Sequence, residues 1–231
     1  MKIGFVSDAH GNPHGLELCL AELKRAEAEE VYFLGDSVGY LPSEMEVIRL
    51  LERERTKCIK GNHEALLLGE LPMKNGAEPI YRLNDASARM SPELKDVIAS
   101  WPLTRELNVC GRRILLVHGR PSNPLEGYLY EDGTIQSGEA GSYDVIVMGH
   151  THRPFIRREQ NALWLNAGSC GLPRDISGLA SCLVYDASSD SAEVLRVRMD
   201  VDRFLATCPE ESVSKEVVSC LYRSSRSPVL D

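Results

Sequence analysis

Five of the six histidines in this 231-residue chain stand in short fragments, each placed just after an apolar run. Asp8-Ala9-His10 follows Ile3-Gly4-Phe5-Val6, Gly35-Asp36 follows Val31-Tyr32-Phe33-Leu34, and Gly61-Asn62-His63 follows Cys58-Ile59. His118-Gly119 follows Ile114-Leu115-Leu116-Val117, and Gly149-His150-Thr151-His152 follows Val145-Ile146-Val147-Met148. Short apolar runs closed by turn residues read as buried strands. Ligands of open α/β sheets bind beyond the carboxyl ends of such strands. Folding is therefore expected to bring Asp8, His10, Asp36, Asn62, His118, His150 and His152 to one rim. Two carboxylates, an amide oxygen and four imidazoles are more than one tetrahedral zinc needs. The set suits two first-row divalent ions sharing a carboxylate, and the absence of cysteine from it speaks against soft-metal chemistry. Two such ions can hold a bridging hydroxide and grip two oxygens of a phosphoryl group, with in-line attack on phosphorus. His63 is left over as general acid or transition-state stabiliser. Arg120, Arg153 and Arg174 are candidate phosphate contacts, whereas His14 lies outside the set.

The elements that must position these groups begin with a buried strand over 2–7. Asn12-Pro13 then opens a helix with an N-cap and a proline at N1, and Leu16, Leu20 and Leu23 stripe its face. A strand at 31–34, a helix with a Ser43/Glu46 capping box, and a short strand at 57–60 complete a parallel β-α-β-α-β unit. Residues 64–104 change character. Helices are expected at 64–69, 80–90 and from Ser91-Pro92 onward, as an excursion that either borders the site or packs on the sheet. Strands follow as a hairpin around Gly111, a single strand at 145–148 after the polar stretch 121–142, and two further hairpins. Parallel strands first and hairpins later imply two packed sheets with helices outside. The core is thus one domain over 1–200, with the helical excursion 64–104 and a C-terminal extension, 201–231, ending in Ser-rich sequence expected to fray.

Bulk composition sets outer limits. A net charge of −8 argues against a general surface for long nucleic acid, though not against a small phosphate ester held through cations. Seven cysteines without CxxC spacing point to reduced thiols, with Cys170 in a structural role. No apolar run is long enough to span a bilayer and no signal peptide opens the chain, so a cytoplasmic location is the expectation.

In combination the fragments resemble the calcineurin-like metallophosphoesterases, including Glu64 after Gly61-Asn62-His63. Ser7-Asp8-Ala9-His10-Gly11-Asn12, Gly35-Asp36-Ser37-Val38-Gly39-Tyr40, Asn166-Ala167-Gly168-Ser169 and Pro173-Arg174-Asp175 resemble the small bacterial and archaeal phosphodiesterase-like members. The resemblance implies an α/β fold, a four-layer α/β/β/α sandwich of two mixed sheets flanked by helices. It implies one divalent ion on Asp8, His10, Asp36 and His152, and a second on Asp36, Asn62, His118 and His150, with Asp36 bridging. His63 matches the catalytic histidine. Manganese is the first expectation, and iron, zinc or nickel occur in relatives. The implied activity is a phosphodiesterase acting on a small or nucleotide-like ester, with a phosphomonoesterase or a scarcely catalytic metal-binding scaffold as alternatives. Two positions depart from the protein phosphatases of the family: Gly39 and Tyr40 stand where those carry an Asp that orients the histidine and an Arg that grips phosphate. Arg120, where close relatives often have a small residue, is a further departure.

Overall fold

The computed structural model describes residues 1–223; the Ser-rich end, 224–231, lies outside the described residues. The opening unit forms as its pattern requires. Strands β1 (Lys2–Val6), β2 (Glu30–Phe33) and β3 (Lys57–Cys58) are parallel, and helices α1 (Pro13–Arg25) and α2 (Glu44–Arg53) connect them. Asn12 caps α1 by accepting a hydrogen bond from the Gly15 N–H at 3.0 Å, with Pro13 in the first turn. The Ser43/Glu46 capping box does not form. Ser43 sits at the N-cap with φ −109° and ψ 39°, outside the extended geometry that aims the hydroxyl at the first turn, and its side chain makes no cap bond. On α1, Leu16 and Leu23 are buried as expected, but Cys19 shares their face and Leu20 stays half-buried.

The later strands are β4 (Thr104–Val109), β5 (Arg112–Val117), β6 (Val145–Met148), β7 (Phe155–Glu159), β8 (Ala162–Asn166), β9 (Leu179–Asp186) and β10 (Ser191–Arg198). They complete two five-stranded sheets, ordered β10-β9-β1-β2-β3 and β4-β5-β6-β8-β7. In the second sheet β5, β6 and β8 run parallel, with β4 and β7 as antiparallel edges. Cys110 and Gly111, both at positive φ, turn the β4–β5 hairpin in the sense that suits strand twist.

Period-two alternation places Ile3, Phe5, Tyr32 and Leu34 between the sheets, against Ile114, Leu116, Val147 and Leu165. The opposite face of the first sheet, with Val6, Phe33 and Cys58, packs on Leu16, Leu23, Val47 and Leu51 of α1 and α2. The two mixed sheets with flanking helices are thus the expected class. Over the outer face of the second sheet, however, the layer is the irregular segment 119–143, whose Leu129, Ile135 and Ala140 cover Leu115, Ile146 and Trp164.

The excursion folds as α3 (Asn62–Leu67), α4 (Glu78–Tyr81), α5 (Leu83–Arg89) and α6 (Pro92–Ala99). The single helix expected at 80–90 is split at Arg82, whose φ of 54° breaks the helical path. That break frees the Tyr81 carbonyl to accept from the Tyr40 N–H at 2.7 Å. After β10, α7 (Val201–Leu205) and α8 (Lys215–Tyr222) bring Phe204, Val217, Cys220 and Leu221 against Tyr40, Leu41 and Leu172. Among the described residues no helix is long and apolar enough to cross a membrane.

Candidate metal centre

All five strand-end fragments converge. Asp8 and His10 follow β1, Asp36 follows β2, Asn62 and His63 open α3, His118 follows β5, and His150 and His152 follow β6. Asp8, His10, Asp36, His150 and His152 all have left-handed backbones, with φ of 55°, 47°, 63°, 64° and 57°. Each such residue costs about 1–3 kcal/mol, a strain that marks functional turns. The turns interlock through backbone bonds, Asp8 N–H to Gly35 O and His10 N–H to Asp36 O at 3.0 Å each, and Gly149 N–H to His118 O at 3.0 Å. Gly61 allows a close approach, since a Cβ there would lie 2.2 Å from Asp36 Oδ1.

Three imidazoles are held by their Nδ1 atoms against backbone carbonyls: His10 on Val38 at 3.0 Å, His118 on Leu34 at 2.7 Å, His152 on Leu172 at 2.6 Å. An Nδ1–H donated to a carbonyl leaves the Nε2 lone pair free to ligate, the usual way a protein fixes a metal-binding tautomer. The Nε2 atoms of His10 and His152 face each other at 3.0 Å, and His118 Nε2 stands 3.0 Å from Asn62 Oδ1. Asp8 Oδ2 accepts from the His150 N–H at 3.1 Å, while its Oδ1 is buried and unpartnered, 3.3 Å from His152 Nε2. Asp36 divides its labour likewise. Oδ1 accepts from the His63 N–H at 2.8 Å, and Oδ2 lies 3.6 Å from His10 Nε2 and 3.3 Å from His118 Nε2.

Donor atoms of Asp8, His10 and His152 lie within 4.8 Å of one another, as do those of Asp36, His118 and His150. His10, Asp36 and His63 make a third such group between them. Buried lone pairs on Asp8 Oδ1 and His150 Nε2 without a partner, and facing imidazole nitrogens, are costly arrangements that a cation in each group would satisfy. The residues fit divalent metal with an N/O donor set.

Burial raises the Asp8 carboxyl to about 7, with His118 opposing and Asp36 adding to the rise. Burial also pushes Asp36 up, but His118, His63 and His10 outweigh it and hold that carboxyl well below the ordinary range. For His118, burial favours the neutral ring, yet Asp36 and Asp8 raise it to about 9. The metal-free protein therefore holds an Asp36–His118 ion pair where ligation requires a neutral imidazole. Burial lowers His63 to about 4, opposed by Asp36 and assisted by His118 and Arg174, so this ring is neutral near pH 7.

Several groups around the centre had no assigned role in the sequence. The Glu64 carboxylate, fully buried, accepts from the N–H groups of Asp36, Ser37 and Gly61 and from the Ser37 hydroxyl, tying the β2 turn to the start of α3. Asn166 donates to Gly149 O at 2.7 Å and Thr151 Oγ1 at 3.2 Å, bracing the histidine turn. Ser169 Oγ donates to Asp8 O at 2.7 Å. Both belong to the Asn-Ala-Gly-Ser run, which was the signal available for them. Around His63 there is no orienting carboxylate among the described residues. Its Nδ1 is buried without a hydrogen-bond partner, against Gly39, where a Cβ would come within 2.4 Å. Rings hold it instead: His10 and Tyr81 with centroids at 4.6 Å and Tyr40 at 4.9 Å.

Of the three arginines expected to contact phosphate, Arg153 lies over the Tyr130 ring at 5.6 Å, and the other two part company. Arg120 is engaged by Glu139 and by Thr134 O at 3.2 Å, so its guanidinium braces the segment 119–143. Arg174 is buried beside the centre and donates from Nη2 to Tyr40 Oη at 3.1 Å. Among the described residues it forms no ion pair, and its Nε is buried without a partner.

Fold and centre have recognisable counterparts. Residues 1–190 match the calcineurin-like phosphoesterase superfamily domain, and the chain belongs to that family of metal-dependent phosphoric ester hydrolases. Uncharacterized protein MJ0912 of Methanocaldococcus jannaschii is 28% identical over 221 residues, covering 87% of this chain and 89% of its own. Phosphodiesterase MJ0936 of the same organism is 24% identical over 173 residues, covering 74% and 84%. The crystal structure of a metallophosphoesterase from Sphaerobacter thermophilus superposes with a TM-score of 0.80 at 23% identity, covering 96% of this chain and 98% of that one.

Proposed function

We propose that this chain is a phosphodiesterase that hydrolyses a small or nucleotide-like phosphate ester at two divalent ions. Asp8, His10, Asp36 and His152 would hold one ion, and Asp36, Asn62, His118 and His150 would hold the other. The observation that carries this reading is the position of Asp36 Oδ2, 3.6 Å from His10 Nε2 and 3.3 Å from His118 Nε2, while Oδ1 is occupied by the His63 N–H. One carboxylate oxygen thus faces both groups of nitrogen ligands, as a bridge must. Manganese is the metal of first choice for the carboxylate and amide oxygens, while the imidazoles equally admit iron, zinc or nickel. When bound, such ions acidify water to hydroxide near neutral pH and neutralise charge on the phosphoryl oxygens.

The protein's own groups do the rest. His63, neutral and boxed by Tyr40, Tyr81 and His10, is placed to donate a ring N–H to a phosphoryl or leaving oxygen. A buried guanidinium without a carboxylate partner is costly unless an anion meets it. Arg174, held by Tyr40, supplies that contact and takes over the work of the arginine absent at position 40. The absence of the phosphatase Asp and Arg at Gly39 and Tyr40, and the likeness to a relative named a phosphodiesterase, favour diester over monoester.

The test is hydrolysis of a chromogenic phosphodiester beside its monoester by metal-stripped protein refilled with manganese. Metal-dependent turnover, faster on the diester, is expected. Faster monoester turnover would reassign the substrate class, and metal binding without turnover on either would favour a scaffold.

A further inference from the structure

The centre is largely shielded from solvent, with Asn62 only half-buried. His150 is the most exposed of its charged and imidazole ligands at 6%, and His10 and His118 are fully buried. Substrate therefore needs a way in. His150 and Asn62 line a slot that also meets Tyr81 and Tyr128 on its walls and Lys74 and Glu126 at its edge. The slot holds about 20 Å³, roughly the room one water requires. Lys74, between α3 and α4, and Glu126, in the segment 119–143, pair across it at 3.4 Å with side chains 67% and 44% exposed. A surface pair of this kind holds weakly and parts readily.

The walls are aromatic and braced. Tyr128 keeps 42% of its surface exposed although its ring packs on His150 with centroids at 4.1 Å and on Tyr130 at 6.0 Å. Tyr81 is fixed by Tyr40 at 5.2 Å and His63 at 4.6 Å. With Tyr128 still 42% exposed, the phenol rings beside the centre leave aromatic surface on which a flat group can pack, at little entropic cost. Resting on the phosphoesterase reading above, we propose that Tyr81 and Tyr128 are specificity-determining residues. They grip a planar aromatic part of the ester, of nucleobase size, which enters when the Lys74–Glu126 pair parts.

The experiment compares binding of adenosine 5′-monophosphate and ribose 5-phosphate to the manganese-loaded chain by calorimetry. Wild type should favour the adenosine ester about tenfold, the factor given by one stacked base at roughly 1.4 kcal/mol. In Tyr128→Leu or Tyr81→Leu the preference should shrink to about twofold or less, and Tyr128→Phe, which keeps the ring, should retain it. Equal binding of both esters by wild type, or a preference that survives Tyr128→Leu and Tyr81→Leu, overturns the aromatic grip and leaves the phosphoesterase reading standing. Failure of the loaded protein to bind either ester overturns both.

Discussion

Glu64→Gln probes the joint on which the centre hangs. The carboxylate accepts four hydrogen bonds, from Asp36 N–H at 2.8 Å, Gly61 N–H at 2.7 Å, Ser37 N–H at 2.5 Å and the Ser37 hydroxyl at 2.7 Å. Glutamine has one acceptor oxygen. Turned toward Asp36 and Gly61, it presents its NH₂ to Ser37; the hydroxyl can rotate to accept, but the Ser37 N–H loses its partner. A buried orphaned N–H costs roughly 1–3 kcal/mol, and the two remaining bonds weaken when the charge is removed. An opposing effect is real, because burial raises the Glu64 pKa and a neutral amide is cheaper to bury. The expected net loss in the metal-free protein is about 2 kcal/mol. Since the same carboxylate fixes the left-handed Asp36, manganese affinity should also fall by about tenfold or more. Urea unfolding of metal-stripped protein and calorimetric manganese titration measure the two effects. A stability loss under ~0.5 kcal/mol together with unchanged manganese affinity would show that the Glu64 carboxylate does not hold this joint.

Other perturbations test the same geometry. Asp36→Asn keeps the bond from the His63 N–H but weakens the oxygen facing both nitrogen groups, so bound manganese should fall at both sites together; elemental analysis retaining two equivalents would remove the bridge. Gly39→Ala puts a Cβ 2.4 Å from His63 Nδ1 at a φ of +87°, so kcat should drop about tenfold or more with manganese content preserved, and an unchanged kcat would show that the His63 position is immaterial. His118, raised to about 9 when burial is outweighed by Asp36, is protonated at pH 7.5 and must lose its proton to ligate. Manganese uptake at that pH should release a proton, seen as a buffer-dependent binding enthalpy, and the release should fade above pH 9. Without metal the same raised pKa stabilises the fold below pH 6.5, a contribution lost as pH rises through about 9.

The centre was legible because its chemistry sits on short fragments at strand ends, where backbone turns alone decide direction. Asp8, His10, Asp36, His118, His150 and His152 needed only the sheets to form. Groups that arrive from distant loops were not legible. Tyr81 depends on the break at Arg82, and Tyr128 lies in an irregular segment with no periodicity to place it. Arg120 was read as a phosphate contact because its partner, Glu139, stands 19 residues away in that same segment. The Ser43/Glu46 capping pattern was present, but buried Glu44 pairs with Arg89 at 2.9 Å and the turn around Ser43 takes another path. Local signals placed the strands and gathered these side chains at one rim, whereas the slot beside them depends on tertiary contacts that leave no local pattern.

The proposed phosphoesterase centre turns on Asp36 shared between two ions. Titrating metal-stripped protein with manganese while following bound metal and diester hydrolysis together tests it most directly. Two equivalents should bind, with hydrolysis rising as the second is taken up. Saturation at one equivalent, or hydrolysis indifferent to metal, would rule out a two-ion centre bridged by Asp36.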